Sequence, residues 1–88
     1  MLTMPPKPMK RLEAKLEEDG SYTLTFITPL KNASQFKRII QKEITPCLGE
    51  HDSITGMNWE TRSFSLMTND LRPFQLNLLK RMFIVKKI

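Results

Sequence analysis

Eighty-eight residues, 40% of them apolar, make one modest folding unit, because a chain this short can enclose only a single core. The net charge of +5 is unevenly spread, with residues 1–12, 21–45 and 61–88 basic and residues 13–20 and 46–60 acidic, and segregated positive charge suits a polyanion or an acidic protein surface. The single cysteine, Cys47, excludes an internal disulfide, and no apolar run reaches the roughly eighteen residues that a membrane span needs.

The opening stretch MLTMPPKPMKR lacks the apolar segment of a signal peptide, so the expected setting is cytoplasmic, or nuclear in a eukaryote. Pro5, Pro6 and Pro8 keep residues 1–8 out of helix interiors and central strands, and a flexible basic arm is expected there. One domain is expected over residues 9–88, divided into units at 9–45 and 53–88. In the first unit, apolar residues alternate from Leu12 to Phe26 around Glu18-Asp19-Gly20. Successive strand side chains point to opposite faces, so a two-residue turn would scatter this apolar set. A three-residue loop gathers it, pairing Leu16 with Tyr22, Ala14 with Leu24 and Leu12 with Phe26. That loop also puts Gly20 at the left-handed position favoured in such hairpins.

Asn32 then stands three residues before Gln35, the spacing of a helix-opening capping box. Phe36, Ile39, Ile40 and Ile44 recur on one helical face, and Pro46 ends the helix near Glu43 to Thr45. A second ribbon is expected over residues 53–68, pairing Trp59 with Phe64 and Met57 with Leu66. Asp70 is the expected cap of a second helix, with Pro73 in its first turn. Its inner stripe reads Leu71, Phe74, Leu78, Met82 and Val85. The ending FIVKKI fits either the close of that helix or a short terminal strand.

Thr28 and Thr68, Leu24 and Phe64, and Phe26 and Leu66 recur at a spacing of forty. Each half therefore reads as a hairpin followed by a helix. The expected fold class is α+β: tandem ββα units forming a four-stranded antiparallel sheet with two helices packed on one face.

The uncovered sheet face would carry hydroxyls and charges but no aromatic ring, which argues against base stacking on the sheet. The candidate nucleic-acid-binding residues are instead Lys7, Lys10 and Arg11 in and beside the arm, Lys37, Arg38 and Lys42 on the first helix, and Lys80 and Arg81 on the second. Nine lysines against five arginines favour phosphate contact over bidentate base reading. The expected function is a small non-enzymatic nucleic-acid-binding or accessory protein, its partner DNA or RNA or an acidic protein surface, with no membrane. The alternative is a protein–protein interaction module, an inhibitor or adaptor, using the apolar excess of the second helix or an edge strand. Leu76, Phe83, Ile84 and Ile88 would then face the partner, which could be a second copy in a homodimer. Chemistry is not expected: Cys47 and His51 lack further metal ligands or an orienting third group, and each of the three glycines stands singly. No cofactor is implied.

Overall fold

The computed structural model describes residues 9–88, so the arm and Lys7 lie outside the described residues. Strands β1 (Lys10–Leu16) and β2 (Tyr22–Phe26) precede helix α1 (Ala33–Ile39), whose path continues as a π turn over Ile40–Ile44 and a 3-10 turn over Thr45–Cys47. Strands β3 (Ser53–Asn58) and β4 (Ser63–Met67) precede helix α2 (Leu71–Lys80), and β5 (Phe83–Lys87) follows. The fold is α+β, with two helices and a five-stranded mixed sheet in the order β3-β4-β2-β1-β5.

The first hairpin has the register that parity demands. Leu12 lies opposite Phe26, Ala14 opposite Leu24 and Leu16 opposite Tyr22. Gly20 has φ +88, the left-handed conformation that closes the loop, and the Glu17 amide donates to the Ser21 carbonyl at 2.8 Å. Asp19 accepts from both the amide and the hydroxyl of Ser21, and these bonds hold its carboxyl below the usual range.

Helix α1 starts as its cap implies: Asn32 Oδ1 accepts from the Gln35 amide at 2.8 Å. The return bond of Gln35 goes to the Lys31 amide, one residue upstream of a strict capping box. Phe36, Ile39, Ile40 and Ile44 are all buried. The widening to a π turn is carried by Thr45, whose amide and hydroxyl both donate to the Ile40 carbonyl five residues back. Pro46, with no amide to donate, then tightens the chain into its last turn.

The second hairpin departs from expectation. Met57, not Trp59, lies opposite Phe64, and Ile54 lies opposite Leu66, with a bulge between Ile54 and Gly56. Trp59 leaves the sheet to begin a four-residue turn that ends at Arg62, φ 53. The Asn58 side chain replaces glycine chemistry there, accepting from the Glu60 amide at 3.0 Å. Trp59 is half-buried, its ring tilted against that of Phe36 with centroids 5.7 Å apart.

The larger correction concerns the sheet. It is not four-stranded and antiparallel, because β5 adds to β1 in parallel, Lys10 opposite Phe83 through Ala14 opposite Lys87. α2 ends at Lys80 rather than running on through Met82 and Val85. Met82 turns the chain at φ 68, and Val85 sits in the strand. The first unit has no counterpart to this last strand.

Buried residues form one cluster. Leu12, Ala14, Leu24, Phe26, Phe64 and Leu66 come from one sheet face; Phe36, Ile39, Ile40, Ile44, Leu71, Phe74 and Leu78 come from the helical side. Phe26 meets Phe36 edge to face at 5.7 Å, which seats α1 on the strand carrying the cluster's centre. The other sheet face presents Glu13, Lys15, Thr23, Thr25 and Ser65.

Candidate nucleic-acid interface

The parallel β1–β5 pairing brings the two ends of the described chain together. The Lys10 amide donates to the Met82 carbonyl at 3.0 Å, which fixes Lys10 and Arg11 beside the turn that carries Lys80 and Arg81. That turn is built without glycine. The amides of Arg81 and Met82 close the helix onto the carbonyls of Leu78 and Leu79, and Met82 takes the left-handed conformation itself. Four of the expected cations, drawn from opposite ends of the sequence, therefore share one corner of the molecule.

The tail of the first helix comes to the same side. Asn77 of α2 donates through Nδ2 to the Cys47 carbonyl at 3.2 Å. Burial pushes the Cys47 thiol above its ordinary range; the nearby Arg81 guanidinium opposes this and Glu43 reinforces it. The turn that ends at Cys47 is thus packed on α2, with Arg81 near its thiol. Lys37 and Arg38 lie in the last turn of α1, exposed, one helical turn before Lys42.

Few of these charges are neutralised. Among the described residues the one ion pair is Arg72 with Asp70, at 2.9 Å on the exposed start of α2. That pair, with the Arg72 amide, holds the Asp70 carboxyl below its ordinary range. Two other cations are committed to rings: Arg62 lies 4.1 Å from the centre of Trp59, and Lys87 5.8 Å from that of Tyr22. Lys10 holds its ammonium 5.9 Å from the Phe83 ring, leaving the charge at the rim of the core. Arg11, Lys37, Arg38, Lys42, Lys80 and Arg81 are exposed, with no carboxylate within ion-pair distance among the described residues.

The set expected to face a protein partner divides. Leu76, Ile84 and Ile88 are exposed, whereas Phe83 is 1% exposed and belongs to the core. Leu79, absent from that set, is exposed beside them. It belongs to the same apolar excess of the second helix, three residues after Leu76. The sequence reading missed that Lys86 lies on the strand opposite Glu13, next to Arg11 on β1. Knowing that required the parallel pairing, for which β-branched residues alone give no partner.

Cys47 is buried and its Sγ donates to the Glu43 carbonyl at 3.3 Å, while His51 is exposed. Among the described residues no three His, Cys, Asp or Glu side chains gather as a metal site, and no helix is long and apolar enough to cross a membrane. No protein-family model, curated protein or solved structure matches the chain.

Proposed function

We propose that this protein binds nucleic acid through its phosphates, without catalysis, using the corner where Lys10 and Arg11 meet Lys80 and Arg81. The observation that carries the reading is the backbone bond from Lys10 to Met82, which joins two basic dipeptides from distant parts of the sequence. Lys42, with Lys37 and Arg38 one turn before it, extends the positive surface along the first helix. Unpaired lysines and arginines release condensed counterions when they meet phosphates, so such a surface binds with steep salt dependence and little sequence preference. The bare sheet face, with hydroxyls and no aromatic ring, supplies no stacking platform and leaves the affinity electrostatic. The element order, hairpin and helix twice over, supports reading the scaffold as a tandem ββα unit extended by β5.

The test is a titration of fluorescent duplex and single-stranded oligonucleotides at several salt concentrations. Binding should weaken linearly on a log–log plot as salt rises. Replacing Lys80 and Arg81 by alanine should weaken it further. An absence of binding at low salt would remove the reading.

A further inference from the structure

The free edge of β5 has the makings of a docking site. In a parallel pair, alternate residues of an edge strand turn their amides and carbonyls toward the neighbour, and the others turn theirs away. The Lys10 amide bonds the Met82 carbonyl, and the Ile88 amide bonds the Ala14 carbonyl at 2.9 Å. These two bonds fix the parity. Ile84 and Lys86 face β1, while Phe83, Val85 and Lys87 turn their backbone groups to the open side. Such an edge is a ready template for another strand unless something blocks it. Among the described residues the one block is light: Gln75 of α2 reaches the Val85 carbonyl at 3.4 Å, a long and easily exchanged bond.

A groove of about 380 Å³ runs beside this edge, lined by Gln75, Leu76, Leu79, Phe83, Ile84 and Val85 among others. Leu76 is 55% exposed and Leu79 49%, an apolar strip that the described residues do not cover; Ile84, 40% exposed, turns to the bare-face side with Lys86. The charges along the strand are all positive. Lys86 lies on the bare-face side, opposite Glu13 but with Arg11 beside it on β1, and Lys87 lies on the groove side; Asp70, which caps α2, is held by Arg72, so the balance along this edge is positive. A second copy would bring the same cations to the same edge. Charge complementarity therefore selects a different occupant.

We infer that β5 accepts an added strand from a partner protein: an extended segment alternating apolar with acidic residues. Its apolar side chains enter the groove against Leu76, Leu79 and Val85. Its carboxylates lie on the opposite face, alongside Lys86. Main-chain bonds to Val85 and Lys87 supply affinity and the alternation supplies specificity. This surface adjoins the Lys10–Arg81 corner at Phe83 but uses none of its cations, so its failure would leave the nucleic-acid reading standing.

The experiment titrates the full chain with a blocked nine-residue peptide of alternating valine and glutamate, followed by calorimetry and by amide hydrogen exchange. The expected result is saturable one-to-one binding, with slowed exchange at the Val85 and Lys87 amides and none of that change at Ile84 or Lys86. Val85→Pro removes a donor from the open side, where proline is tolerated, and should weaken binding at least tenfold. Should that variant fold poorly, Leu76→Glu on the exposed helix face should give a similar loss by placing a charge where the partner's apolar side chains would sit. A peptide of alternating valine and lysine should bind at least tenfold more weakly than the glutamate peptide. No binding of the glutamate peptide, equal binding of both peptides, or an unaltered affinity in Leu76→Glu would overturn the inference. A concentration-dependent dimer of the chain alone, abolished by Val85→Pro, would also overturn it by assigning the edge to a second copy.

Discussion

Phe36 is the side chain on which the two hairpins converge. Its ring meets Phe26 on one side and Trp59 on another, each at 5.7 Å, and it is 1% exposed. Phe36→Ala should cost about 3–5 kcal/mol, since truncation leaves a cavity that a rigid sheet cannot close. Trp59→Ala should cost clearly less, because the indole is half-buried and its outer face holds only the Arg62 guanidinium. Chemical denaturation of both variants checks the order; equal losses would mean that Trp59 is a core residue after all. Asp70 offers a pH test. It caps α2 and is bonded by Arg72, so its carboxyl titrates below its ordinary 3.8 in the folded state. A depressed folded value stabilises at pH above the ordinary one, and the benefit is lost as pH falls through the lowered one. The stability gap between the parent and Asp70→Ala should therefore be flat from neutral pH to about 4 and narrow below that. Thermal melts across that range measure it.

At the scale of the element, the two hairpins show what a sequence can and cannot disclose. The first was legible because six apolar residues and Gly20 all demand one register. Gly20→Ala should cost about 1–2 kcal/mol from backbone conformation alone, since no atom lies within 4 Å of where its Cβ would stand. A loss near zero by urea denaturation would show that the loop relaxes instead. The second hairpin was misread by two residues because its turn carries no glycine: Asn58 and the left-handed Arg62 do that work. The same absence hid the end of α2. Arg81 and Met82 give no stop signal, so the apolar period ran on from Leu78 into Met82 and Val85. The basic residues of the corner were each legible as exposed cations. Their meeting was not, because it depends on a strand pairing between segments more than seventy residues apart. β5 also matters for stability: deleting residues 83–88 removes the buried Phe83, and cooperative unfolding should be lost in a calorimetric scan.

Across the whole molecule, charge is arranged rather than merely abundant. With one ion pair among the described residues, most cations keep their full interaction with salt. For duplex DNA, each phosphate contact contributes about 0.9 to the slope of log affinity against log salt. Lys80→Ala with Arg81→Ala should therefore flatten that slope by up to about 1.8, while the melting temperature stays nearly unchanged. An unaltered slope would move the phosphate contacts elsewhere, to the first helix or beyond. The seam between β1 and β5 has a further bearing, on how the chain is made. A ribosome releases residues 10–16 long before residues 83–87, and for that interval β1 can be zipped to β2 on one side only. Its other flank stays open until the last strand slots in, and contacts so distant in sequence form late and slowly. The nascent chain thus carries one unsealed hydrogen-bonding border until residues 83–87 emerge, and those residues act as its zip-fastener.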